Sequence, residues 1–98
     1  MAKKYKEPKE EPMSAVELLF VSQLAKTCGF KRENIIDSKG TFPSLRVITN
    51  GKFKKDEINV IQNGFKQRFK RVLLFNERNE TDNKDIKIGY FTKKALAK

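Results

Sequence analysis

Twice along this chain the spacing of apolar residues changes from helical to extended, and that alternation restricts the fold more than any other feature of the sequence. The first helical stretch opens at Ser14 and Glu17, which have the spacing of a capping box, with Met13 and Leu18 at the positions of a hydrophobic staple. It runs to about Cys28. Val16, Leu19, Phe20 and Leu24 are expected on its buried face, Val21 widens that face, and Gly29 supplies the left-handed stop. Asn34-Ile35-Ile36-Asp37 then reads as a short strand, Ser38-Lys39-Gly40 as a turn, and residues 45–49 as a strand entered at Pro43. After the break at Asn50-Gly51, a second helix over residues 55–69 sets Ile58, Ile61, Phe65 and Phe69 on one stripe, in spite of Gly64. Val72-Leu73-Leu74-Phe75 is continuously apolar and reads as a central strand, residues 86–92 alternate as a half-buried one, and the polar stretch 76–84 connects them.

The order α-β-β-α-β-β predicts an α+β fold, with two helices on one face of a small, mainly antiparallel sheet of three or four strands. The stretch from Glu17 to Phe30-Lys31-Arg32 also matches that from Glu57 to Phe69-Lys70-Arg71, so the chain reads as αββ twice, related by a pseudo-twofold. Period-two alternation predicts Leu45, Val47, Val72, Leu74, Ile86 and Ile88 toward the helices. It sends Arg46, Ile48, Leu73, Phe75, Lys87 and Phe91 to the open face. Ninety-eight residues suit one domain, placed at 14–93. Residues 1–13, rich in Lys, Glu and Pro, read as a flexible arm, and 94–98 as a basic tail. The stretch 47–94, a strand, a basic helix and a strand pair ending in lysines, resembles the Alba family of chromatin and RNA-binding proteins in element order and helix length. That family has a strand before its first helix, which this sequence does not show, and fewer residues between that helix and Leu45.

The formal net charge is +10 with no histidine, so it stays constant across physiological pH and favours polyanionic partners. The excess is uneven: residues 50–71 hold Lys52, Lys54, Lys55, Lys66, Arg68, Lys70 and Arg71 against Asp56 and Glu57 only. The lone Cys28 excludes an internal disulfide, and without histidine it cannot complete the usual zinc cage, so no metal or cofactor is expected. Residues 1–12 lack the apolar centre of a signal peptide, and no run reaches the length of a membrane span. The expected location is cytoplasmic or nucleoid- or nucleus-associated rather than secreted, with no membrane partner, and the Asn79-Glu80-Thr81 glycosylation pattern is then idle.

Two surfaces are candidates for contact with DNA or RNA. On the second helix, Asn59, Asn63, Lys66 and Lys70 share a stripe beside the buried face, joined by Arg71 and the Lys52, Lys54, Lys55 cluster. Amines there suit phosphates, and amides suit sugar or base edges. Between Ile58 and Arg71 no acid interrupts the stripe, as it would on an ordinary solvated face. The open sheet face, with Arg46 and Lys87 among apolar and aromatic residues, could stack unpaired bases, or equally form a homodimer contact. The main expectation is a non-catalytic nucleic-acid-binding module. The alternative is a small protein-interaction module, an inhibitor or adaptor that takes an acidic partner or dimerises through the open face. Asp85-Ile86-Lys87 has the D-x-K spacing of metal-dependent nucleases, for which Asp37 or Glu17 would have to supply further acid. With no second acidic motif, histidine base, G-x-S-x-G or P-loop, no catalytic residue is assigned and the chain is not expected to be an enzyme.

Overall fold

A computed structural model describes residues 10–35 and 44–94. The elements are β1 (Glu10–Glu11), α1 (Ala15–Thr27), β2 (Lys31–Ile35), β3 (Ser44–Asn50), α2 (Lys55–Phe69), β4 (Val72–Arg78) and β5 (Ile86–Lys94). All pairings are antiparallel, and the long strands lie in the order β2-β3-β5-β4. Because β4 occupies one side of Lys93 and Lys94, the two-residue β1 must extend the β3 side of β5. The expected α+β architecture is therefore present. The turn at Ser38-Lys39-Gly40, the entry at Pro43, the strand residues Ile36 and Asp37 and the tail 95–98 lie outside the described residues.

Local chemistry fixes the helix ends. The Glu17 amide donates to Ser14 Oγ at 3.2 Å and the Ser14 amide donates to Glu17 Oε1 at 2.8 Å, which completes the capping box. Met13 and Leu18, the staple pair, are both buried. Lys93 Nζ also donates to Glu17 Oε1 at 2.8 Å. Partial burial works against the Glu17 carboxylate, but the bonds from Lys93 and Ser14 outweigh it and lower its pKa. At the other end of α1, Gly29 takes the left-handed stop with φ 88°. In α2 the same turn is made by Lys70, at φ 59° and ψ 37°.

The core lies between the helices and one sheet face. It joins Leu18, Val21 and Ala25 of α1 and Ile58, Ile61 and Phe65 of α2 to Leu45, Val47, Leu73 and Phe91. Each large aliphatic or aromatic side chain so buried stabilises the fold by about 1.5–3 kcal/mol. Phe53, ahead of α2, packs edge-on between Phe30 and Phe75, and Phe75 in turn meets Phe91.

Four expectations are corrected. The α1 face is rotated: Val16 and Leu19 are 61% exposed, while Leu18, Val21 and Ala25 are buried. Apolar residues surround most of that helix, so spacing alone did not set its phase, and the Met13–Leu18 staple decides it. Second, β4 is an edge strand, paired with β5 alone among the described residues. Third, the faces of β4 and β5 are inverted. Paired residues share a face, and Leu45 pairs with Phe91, Val47 with Gly89, Phe75 with Phe91 and Thr49 with Lys87. Leu73, Phe75, Lys87 and Phe91 therefore lie on the helix-bearing side, and Val72, Leu74, Ile86 and Ile88 on the other. Gly89 makes room for this arrangement, since its missing side chain leaves the space that the Phe75 ring fills. Fourth, the arm expected over 1–13 is structured from Glu10, where β1 pairs with β5.

Candidate functional site

The hydrophobic stripe of α2 decides where its polar stripe points. With Ile58, Ile61 and Phe65 buried, one flank of the helix meets α1: Gly64 lies against Leu24 and Phe20, and the Arg68 guanidinium stands 6.0 Å from the Phe20 ring and 5.7 Å from the Phe69 ring. The opposite flank runs along the open edge of β4. There Gln62 Nε2 donates to the Leu73 carbonyl at 3.0 Å and ties helix to strand. At 100° per residue, Lys55, Asn59, Asn63 and Lys66 all fall on this second flank.

The result is a groove of about 530 Å³ lined by Asn63, Lys66, Gln67, Lys70, Arg71 and Val72. A smaller pocket beside it, of about 210 Å³, adds Gln62, Leu73 and Leu74. Asn63, Lys66, Lys70 and Arg71 were expected from the sequence. Gln67 and Val72 were missed, although the helical repeat from Asn63 and the step past Arg71 both point to them. Among the described residues Lys66 and Lys70 have no carboxylate partner, and Lys70 Nζ donates to the Gln67 carbonyl at 3.0 Å. Arg71 is partly neutralised, with Nε 3.8 Å from Glu11, which also lies 3.7 Å from Lys93. The cations stand at the C-terminal end of α2, where the helix dipole favours them.

The other expected residues sit elsewhere. Lys55 and Asn59 continue the stripe toward the start of α2, about 16 Å along the axis from Lys66 to Lys55. Lys52 and Lys54 are exposed on either side of the anchored Phe53, at the opposite end of the helix from the groove. Arg46 is on the open sheet face, committed to Glu33 and 3.6 Å from Glu80, and the bond to Glu33 holds its guanidinium more firmly protonated. Glu80 also accepts from the Tyr90 hydroxyl at 2.6 Å, which pushes the tyrosine pKa up, and Arg78 lies 5.0 Å above that ring. Lys87 borders the β4–β5 connection, together with Arg78, Asp82 and Lys84. Neither Arg46 nor Lys87 joins the groove.

For the D-x-K stretch, the Asp85 amide donates to Asn83 Oδ1 at 2.8 Å within a turn, while Glu17 is engaged by Ser14 and Lys93 on α1. Asp37 lies outside the described residues. No family model matches this chain, and neither does any curated protein or solved structure. No helix among the described residues is long and apolar enough to cross a membrane.

Lys70 combines a strained backbone with a place in the groove. A side chain in the left-handed region costs about 1–2 kcal/mol, which glycine avoids. Lys70→Gly is therefore expected to raise the melting temperature by a few degrees, since glycine removes most of that strain, and, were the groove to hold a polyanion, to lower that affinity about fivefold. Thermal melts and a binding titration on the same preparation check both halves. A variant that gains stability without losing affinity would remove Lys70 from the site.

Proposed function

We propose that this chain is a non-catalytic nucleic-acid-binding module that grips the phosphate backbone in the groove between α2 and β4. The observation that carries the reading is the convergence of Asn63, Lys66, Lys70 and Arg71 on one groove, with the Lys66 and Lys70 amines free of carboxylates among the described residues. Lys55 and Asn59 extend the track to about 22 Å, the length of some six base pairs of duplex. Amines supply affinity and amides fix the register of the backbone.

The composition of the surface favours phosphate contact over base stacking. The large apolar residues exposed among those described are Val16, Leu19, Val60 and Val72, none of them aromatic. Phe20, Phe30, Phe53, Phe69, Phe75 and Phe91 belong to the core or pack on it. An unpaired base therefore finds no ring platform beside the groove. The alternative, a module that takes an acidic partner or dimerises, was read with Leu73, Phe75 and Phe91 on the open sheet face; these face the helices, and that face carries Ile48 and, in their place, Val72, Leu74, Ile86 and Ile88.

Binding through three neutralised phosphates gives a slope of log K against log salt of about −2.7, so duplex affinity is expected to fall roughly fortyfold between 50 and 200 mM salt. Titrations of labelled duplex DNA, single-stranded DNA and RNA at both ionic strengths measure it. Absence of micromolar binding to all three at the lower salt rejects the proposal.

A further inference from the structure

The sheet order β2-β3-β5-β4, with β3 and β5 antiparallel at its centre, reads the same from either edge. The two αββ halves correspond in detail. Leu18, Val21 and Ala25 stand to α1 as Ile58, Ile61 and Phe65 stand to α2, at one constant offset, and Met13 precedes α1 as the anchored Phe53 precedes α2. Both helices end on a left-handed residue, Gly29 and Lys70. Each is tied to its edge strand at the matching place: Gln62 to the Leu73 carbonyl, and Ser22 to Arg32, whose NH1 lies 3.2 Å from Ser22 Oγ and 3.5 Å from its carbonyl.

On this correspondence Gln23 takes the place of Asn63 and Lys26 that of Lys66, and Lys31, the first residue of β2, stands where Val72 lines the first groove, while Gly29 and Phe30 hold the places of Lys70 and Arg71. Lys26, Lys31 and Arg32 are exposed, and none of them has a carboxylate partner among the described residues. The Phe30–Phe53 contact, with centroids 5.3 Å apart, brings the exposed Lys52 and Lys54 to this same end. At the first groove the segment ahead of the helix instead presents Glu11 to Arg71. The second edge thus presents three cations of its own, Lys26, Lys31 and Arg32, with Lys52 and Lys54 nearby. Glu57 is close as well, since burial and its charge together raise the pKa of the Cys28 thiol.

We infer that the α1–β2 edge is a second phosphate-binding site, and that one molecule holds two double-helical segments at once, one along each edge of the sheet. The inference rests on the nucleic-acid reading of the α2–β4 groove. Three strand spacings separate β2 from β4, about 14 Å of backbone, and the two edges face opposite ways. A straight duplex engaged along β4 therefore leaves the β2 amines free for another.

Two duplexes of about 30 base pairs, one biotinylated and one fluorescent, test this at low salt, where phosphate contacts are strongest. The full chain is mixed with both, the biotinylated duplex is captured, and the fluorescence that follows it is measured, once with DNA pairs and once with RNA pairs. The expected result is co-capture by the wild-type chain with at least one type of duplex. In Lys26→Glu with Lys31→Glu, co-capture falls at least tenfold while affinity for a single duplex stays within about threefold, since the first groove is untouched. The milder pair Lys26→Gln with Lys31→Gln, which cannot be faulted for charge reversal near the helix end, gives a smaller loss in the same direction. Binding without co-capture by the wild-type chain overturns the second site and leaves the first standing. So does co-capture that survives the double reversal, since bridging then arises elsewhere. No binding of either duplex overturns both.

Discussion

Lys66→Glu combined with Lys70→Glu is expected to lower duplex affinity about a hundredfold at low salt and to reduce the salt slope by about two, because the two phosphate contacts proposed for these residues would be lost and replaced by repulsion. Both residues are exposed and neither contributes a side chain to the core. The change therefore acts on binding far more than on folding, apart from the modest cost of placing acids at the negative end of a helix dipole. Lys84→Glu, in the exposed connection between β4 and β5, is the control for net charge and shifts affinity by no more than about threefold. Fluorescence anisotropy across a salt series gives all of these quantities. Equal losses in the control and the double variant would mean that only overall charge matters.

Gly89→Ala destabilises the protein by about 2 kcal/mol, although alanine in a strand normally improves on glycine by roughly 0.5–1 kcal/mol. The added Cβ would sit 2.4 Å from Phe75 Cζ and 2.5 Å from its Cε1. The ring has little freedom to withdraw, since Phe53 and Phe91 pack against it with centroids 4.8 and 4.9 Å away. For a domain of this size the change lowers the melting temperature by roughly 10 °C. Phe75→Leu made in the same chain recovers part of the loss, so the double-mutant cycle shows a favourable coupling between the two sites. A neutral or stabilising Gly89→Ala would mean that the Phe75 ring does not fill the space over Gly89.

How much of this was legible beforehand depended on whether one signal sufficed. The bounds of α2 and its buried stripe followed from spacing alone, because apolar and polar residues separate cleanly around that helix. The groove residues Asn63, Lys66 and Lys70 followed with them. In α1 apolar residues occur on nearly every side, and only the staple to Met13 distinguishes the face that turns inward. The run Val72-Leu73-Leu74-Phe75 fits either facing, and its partner strand decides the matter through a glycine whose function shows only when Phe75 lies over it. The run also suggested a central strand. Its edge position is tolerated because α2 covers one face and Gln62 satisfies an outward carbonyl. Arg46 was a reasonable candidate cation until register set it opposite Glu33 and the β4–β5 connection brought Glu80 within reach. Neither partner can be read from local sequence.

The most direct test of the central claim is a residue-resolved amide titration of the isotope-labelled chain with a short duplex, read by chemical-shift change. The largest early displacements are expected at Asn63, Lys66, Gln67, Lys70, Arg71 and Val72, while Arg46, Ile88 and Tyr90 on the open sheet face stay in place. Displacements concentrated on that open face, with the α2–β4 groove unmoved, would contradict the account.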